Sequence, residues 1–137
     1  MAQMPVKEIM TKDVITVPSA TPVREVANLL SEKTISGVPV VDYEGRLLGV
    51  VSELDVVGRQ GTTAADIMSK GVISVTEDTD VDEVLHLFLN QRIRRVPVLS
   101  DGQHLVGIVS RSDLVRPASI SHFLDEQNIF DSDEDPC

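Results

Sequence analysis

Aromatic residues are scarce in this chain of 137 residues, which carries three Phe, one Tyr and no Trp. Valine, isoleucine and leucine must therefore fill its core, and stacking of nucleic-acid bases on aromatic side chains is not expected. Cysteine occurs once, as the last residue, Cys137. That excludes an internal disulfide and a cysteine-based metal site, and a cytosolic setting fits such usage best. Long apolar runs are missing. No segment approaches the roughly 20 residues of a membrane span, and the first residues lack signal-peptide architecture. Positive charge is short as well, with 12 Lys and Arg against 22 Asp and Glu and a net charge of −10. A nucleic-acid or anionic-membrane partner needs a basic face, so neither is expected.

Catalytic and metal-binding patterns are also missing. Ser52 and Ser110 have no Gly-x-Ser-x-Gly context and no paired histidine. No phosphate-cradling Gly-x-x-x-x-Gly-Lys-Ser/Thr loop occurs. His86, His104 and His122 show no metal-ligand spacing. Neither an enzyme nor a metal site is expected.

What the chain does contain is a duplication. Gly49-Val50-Val51-Ser52-Glu53-Leu54-Asp55 returns as Gly107-Ile108-Val109-Ser110-Arg111-Ser112-Asp113, 58 residues later, and about twenty of some fifty residue pairs at that offset are identical without a gap. Each copy reads as a buried β-branched strand running into a helix capped by serine, with the acid three places on. Helix capping is at least part of the explanation. A hydroxyl and a carboxylate beside a helix N-terminus are also suited to ribose hydroxyls and phosphate.

The first half opens with a helical turn over Val6–Met10 and a short strand over Val14–Val17, ended by Pro18. Thr21 and Pro22 read as N-cap and first helical residue. Val23, Val26, Ala27, Leu29 and Leu30 then recur at helical spacing. A hairpin follows, with strands Val38–Val41 and Arg46–Val51, and Pro39 belongs near a strand start or an edge. A short helix, Ser52–Arg59, completes the half. The second half repeats this order. Asp66-Ile67-Met68 matches Glu8-Ile9-Met10, Thr79 caps a helix carrying Val84 and Phe88, and Leu105–Val109 is the return strand. Met10 and Met68 read as packing residues.

The expected fold is thus α/β, two tandem β-α-β-β-α repeats over residues 6–60 and 64–116, packed with pseudo-two-fold symmetry. A repeat of about 50 residues is marginal as a free-standing domain. The segment 117–137 carries six acids (Asp125, Glu126, Asp131, Asp133, Glu134, Asp135) and no Lys or Arg, leaving −4 for the rest. Ile120, Phe123 and Leu124 allow one or two amphipathic turns there, and Asp131–Asp135 reads as disordered or solvated.

With Ile9-Met10 and Ile67-Met68 at the repeat starts, Val38-Pro39-Val40 and Val96-Pro97-Val98 in the strands, and the two Gly-x-x-Ser-x-x-Asp ends, the chain resembles a tandem pair of CBS domains. This regulatory module is named after cystathionine β-synthase. The resemblance covers about residues 6–116. It implies two clefts between the repeats that take adenosine-containing ligands (AMP, ADP, ATP, S-adenosylmethionine or NADH), homodimers, a client protein whose behaviour the ligand changes, and no catalysis. In such pairs the Asp holds ribose hydroxyls and the partner repeat supplies the adenine wall. One cleft would then use Ser110 and Asp113 with Ile15, Thr16, Val38 and Pro39. The other would use Ser52 and Asp55 with Ile73, Ser74, Val96 and Pro97.

The clefts differ in charge. Arg92, Arg94 and Arg95 precede Val96-Pro97, where Ser36 and Gly37 precede Val38-Pro39. Strand alternation puts Arg94 and Arg95 on opposite faces, so at least one can face a cleft. Guanidinium is well matched to phosphate. The Asp55 cleft is therefore expected to be the better phosphate site, with Arg111 as a cation for the Asp113 cleft; solvent or a dimer salt bridge is the competing place for these arginines. A ligand-free dimerisation module is the competing function.

Overall fold

The computed structural model describes residues 3–134, with side chains described as far as Asp125. The chain divides into two compact units whose limits do not follow the repeats. The first-repeat unit holds Asp13–Ile73 and Leu99–Leu105; the second-repeat unit gathers the residues up to Lys12, Ser74–Val98 and those from Val106 on.

In the first-repeat unit the elements are β1 (Val17–Pro18), α1 (Val23–Lys33), β2 (Gly37–Val41), β3 (Leu47–Ser52), α2 (Glu53–Gly58) and α3 (Ala64–Ile67). The sheet has the order β1-β2-β3. β1 runs parallel to β2, and β2 is antiparallel to β3 with Val38 opposite Val51 and Pro39 opposite Val50. β1 pairs only with Val40 and Val41, so at Pro39 the strand is flanked by β3 alone. That is where a residue without an N–H is tolerated. Val38, Val40 and Val51 point into a core completed by Val26, Leu30 and Ile67.

α1 starts one residue later than the sequence suggested. Pro22 is its extended N-cap, and Thr21 does not cap. The cause is a bridge pairing Pro22 with Thr63, flanked by the Ala64 N–H donating to the Thr21 carbonyl at 2.8 Å. This holds the chain extended through Pro22.

The second repeat and the segment after it form β4 (Val75–Thr76), α4 (Val81–Gln91), β5 (Arg95–Leu99), β6 (Leu105–Ser110), α5 (Arg111–Leu114) and α6 (Pro117–Glu134), with sheet order β4-β5-β6; all of these but Leu99 and Leu105 belong to the second-repeat unit. Asp80, not Thr79, caps α4, its carboxylate accepting from the Asp82 N–H at 3.3 Å. The Thr79 hydroxyl is used inside the preceding turn, where it accepts from the Thr76 N–H at 3.1 Å. In both repeats the first strand is shorter than expected, two residues long.

Each unit borrows the opening segment of the other repeat. Thr11 exchanges two backbone hydrogen bonds of 2.9 Å with Ile108 of β6, and Ser69 exchanges bonds of 3.0 and 2.9 Å with Val50 of β3. The glycines of the repeated motif make room for this. A Cβ on Gly107 would meet Met10 Sδ at 2.5 Å, and one on Gly49 would meet the Ser69 carbonyl oxygen at 2.7 Å. Val6, Ile9 and Met10 accordingly pack with Val84, Phe88 and Val109 of the second repeat.

The C-terminal helix exceeds expectation. In place of one or two turns, α6 runs from Pro117 to Glu134 and so includes most of the acid run expected to be disordered. Proline suits a first helical position. The helix start is anchored by Ser119 Oγ donating to the Asp113 carbonyl at 2.8 Å and by Phe123 packing on the core. Asp135 lies outside the described residues.

Candidate functional site: two capped carboxylates

Both Ser-x-x-Asp elements sit where a buried strand turns into a short helix. Ser52 is the N-cap of α2, and Asp55 is its third residue. Asp55 Oδ2 accepts from the Ser52 N–H at 2.8 Å and from the Ser52 hydroxyl at 3.0 Å. Its other oxygen, Oδ1, lies 3.2 Å from Arg59 Nε. Ser110 and Asp113 repeat the arrangement at α5, with Oδ2 accepting from the Ser110 N–H at 2.8 Å and hydroxyl at 3.2 Å.

The two carboxylates diverge at Oδ1. Asp113 Oδ1 accepts from the Thr11 hydroxyl at 3.1 Å and from Arg116 Nη2 at 2.7 Å. A carboxylate offers about four acceptor positions. Among the described residues Asp113 has them filled, whereas Asp55 keeps one open. Asp113 is 1% exposed and Asp55 8%. Asp55 can accept a further hydroxyl directly, and Asp113 only once Arg116 or Thr11 gives way.

A third element of the same kind escaped the sequence reading. Thr63 and Asp66 form a capping box at α3. Asp66 Oδ2 accepts from the N–H groups of Thr62 at 2.9 Å and Thr63 at 3.0 Å and from both hydroxyls. The Thr62 and Thr63 N–H groups, then the hydroxyls, hold its carboxyl below the ordinary carboxylate value. Asp66 is exposed. The Ser/Thr-x-x-Asp spacing thus marks capping, and burial separates Asp55 and Asp113 from it.

The other expected residues fall as follows. Ile15, Thr16, Val38, Pro39 and Ile73 belong to the first-repeat unit with Ser52 and Asp55; Ser74, Val96, Pro97, Arg94, Arg95 and Arg111 belong to the second with Ser110 and Asp113. Val38, Pro39, Val96 and Pro97 are buried, whereas Ile15, Ile73 and Ser74 are exposed. Arg94 and Arg111 were assigned to different clefts, yet they line one pocket of about 440 Å³ together with Arg92, Phe88, Leu89 and Leu114. Arg95 is half-buried at the start of β5.

Thr11, Arg59 and Arg116 were missed because they meet the carboxylates only through the fold or beyond the motif. His122 was also placed by the fold. Its Nε2 lies 3.1 Å from Asp82 Oδ1, and a ligand atom from each of His122, Asp80 and Asp82 falls within 4.8 Å of the others.

Comparison with known proteins fits this geometry. The CBS domain model matches residues 6–61 and again 64–119, so this chain belongs to the CBS domain family as a tandem pair. A solved structure of CBSX2 in complex with AMP is 30% identical with a TM-score of 0.79, covering 83% of this chain and 95% of that one. The CBS domain pair of protein MJ0100, in complex with 5'-methylthioadenosine and S-adenosyl-L-methionine, is 31% identical with a TM-score of 0.73, covering 92% and 99%. The inosine-5'-monophosphate dehydrogenase of Methanocaldococcus jannaschii is 36% identical over 111 residues, which are 80% of this chain and 22% of that enzyme. The chain thus spans about a fifth of that relative. No helix among the described residues is long and apolar enough to cross a membrane.

Proposed function

We propose that this chain is a non-catalytic regulatory module. It binds an adenosine-containing ligand of the AMP, ADP or ATP class and passes a conformational change to a dimer or client partner. The observation that carries this reading is the pair of buried carboxylates, Asp55 and Asp113, each held by its serine at a strand-to-helix turn. Relatives about 30% identical hold AMP, 5'-methylthioadenosine or S-adenosylmethionine. In this reading the carboxylates take ribose hydroxyls, Ile15, Thr16, Val38, Pro39, Ile73, Ser74, Val96 and Pro97 face adenine, and Arg94, Arg95 and Arg111 serve phosphate. A ligand acts by binding one conformation better than another. Its open acceptor position makes Asp55 the first carboxylate to be engaged.

Thermal melting of the full chain against AMP, ADP, ATP, S-adenosylmethionine and NADH, with adenosine as control, tests this. A ligand at 100 times its dissociation constant adds about 2.7 kcal/mol to a native state that alone binds it. Asp55→Asn should abolish most of that shift. A shift that survives both Asp55→Asn and Asp113→Asn overturns the site.

The exposed capping box at Asp66 favours a second reading, in which the serine–aspartate elements only cap helices and the module is a ligand-free dimerisation unit. In that case Asp55→Asn lowers stability and no ligand moves the melting curve.

A further inference from the structure

Three metal-ligating side chains converge where α6 meets the start of α4. Asp80 is the N-cap of α4, and Asp82 stands in its first turn. His122 comes from α6, 40 residues beyond Asp82, and its Nε2 lies 3.1 Å from Asp82 Oδ1. One ligand atom from each of the three falls within 4.8 Å of the others. Donors about 2.0–2.2 Å from a zinc ion stand up to about 4.4 Å apart, so small side-chain rotations bring all three onto one cation. His122 shows no metal spacing in the sequence because the fold supplies its partners.

Two carboxylates at a helix N-terminus are common by themselves, since the helix dipole favours them. The imidazole sets this place apart. Its side chain is only 10% exposed, yet it is turned onto the carboxylates from another helix. It is held there by an edge-to-face contact with Phe123, ring centroids 5.4 Å apart, and Phe123 packs on the second-repeat core. The acids are fixed as well. Asp80 forms a backbone bridge with Pro5, the Val6 N–H donates to the Thr79 carbonyl at 2.7 Å, and the Val81 N–H donates to the Met4 carbonyl at 2.8 Å. Donors already held in place lose little freedom when they take up a ligand.

Charge favours a cation here. Residues 77–83 hold five acids and no Lys or Arg. Among the described residues neither Asp80 nor Asp82 has a Lys or Arg partner, and Lys7 reaches only Asp78, at 3.5 Å. Two carboxylates match the charge of a divalent cation. The imidazole favours zinc and its transition-metal neighbours over magnesium and calcium, which take oxygen ligands. Three protein donors leave further positions to water, as in an open site.

We infer that Asp80, Asp82 and His122 bind a divalent transition-metal cation such as zinc, and that the bound ion pins α6 to the start of α4. None of the three belongs to the Ser-x-x-Asp elements, so the site stands whether or not a nucleotide binds.

Calorimetric titration of the metal-stripped full chain with zinc tests this, in a Cys137→Ser background that removes the one competing thiol. One ion should bind per chain, with magnesium and calcium at least tenfold weaker, a gap of about 1.4 kcal/mol or more. Asp80→Asn is the decisive variant. Asparagine caps a helix as well as aspartate does, so the metal-free melting curve should stay close to the parent's. Zinc affinity should nevertheless fall by roughly tenfold or more. His122→Gln should weaken zinc to the same degree. Zinc should also slow amide exchange in residues 118–124 of the parent and of neither variant. Zinc binding unchanged by Asp80→Asn and His122→Gln overturns the site and would assign the ion to the acidic tail. Magnesium binding as tight as zinc, or no zinc binding at millimolar concentration, overturns it too.

Discussion

Thr11 and Asp113 stand 102 residues apart in sequence, and the hydroxyl of one donates to Oδ1 of the other at 3.1 Å. Together with Arg116 and Ser110 it leaves the Asp113 carboxylate fully engaged while buried. An amide at this position presents NH2 to groups that are themselves donors. Asp113→Asn should therefore cost about 1–3 kcal/mol, and more than Asp55→Asn, whose Oδ1 has only the half-exposed Arg59 to lose. Urea unfolding of both variants compares them; equal losses would contradict the difference in engagement.

Asp66 ties stability to acid pH. Its carboxyl is held low chiefly by the Thr62 and Thr63 N–H groups. A carboxyl with a lowered native pKa contributes stability above its ordinary value, and that contribution is lost as pH falls through the native one. Melting temperatures of wild type and Asp66→Asn should differ at neutral pH and converge below the ordinary carboxylate range. A constant gap down to the acid end would exclude this linkage.

The two motif glycines should not tolerate alanine equally. At Gly49 the added carbon meets a backbone carbonyl, that of Ser69 at 2.7 Å. At Gly107 it meets the movable thioether of Met10 first, at 2.5 Å, with the Thr11 carbonyl at 3.1 Å. Gly49→Ala should cost about 1–3 kcal/mol through forced backbone shifts, and Gly107→Ala less. The midpoint of denaturant unfolding ranks them, and a reversed order would refute the steric account.

Ile67 is fully buried in the first-repeat core although it opens the second repeat in sequence. Ile67→Ala should cost about 2–5 kcal/mol. Its counterpart Ile9 serves the other core, so Ile9→Ala should fall in the same range. Near-zero losses would mean that these segments are not structural.

The duplication, the hairpins and the serine caps of α2 and α5 were legible because they rest on local chemistry: β-branched runs, a turn, a hydroxyl three residues before an acid. The cap of α4 was misplaced by one residue, since Thr79 is consumed within its own turn and Asp80 is free to do the work. The length of α6 was missed because its apolar residues run out after Phe130, while anchoring by Ser119 and Phe123 depends on tertiary contacts. Pairing of Thr11 with Ile108 and of Ser69 with Val50 had no signal beyond two glycines, whose close approach is visible only with coordinates. The site was legible as residue types but not as occupancy. That Asp113 is saturated and Asp55 is not depends on Thr11 and Arg116, which lie outside the motif.

The exchange of opening segments has a consequence for any attempt to halve this protein. Severed at the Gly58–Thr63 linker, each fragment keeps a lead-in that fits the other fragment's sheet and loses the one that fits its own. β3 or β6 is then left with a bare edge where Ser69 or Thr11 had covered it. Bare edges pair with whatever strand is near. Because the two lead-ins are close copies, a fragment can repair itself by trading with an identical fragment, so that two halves of one kind rebuild a symmetric whole. Such domain-swapped pairing makes a duplicated ancestor that began as a homodimer physically reasonable.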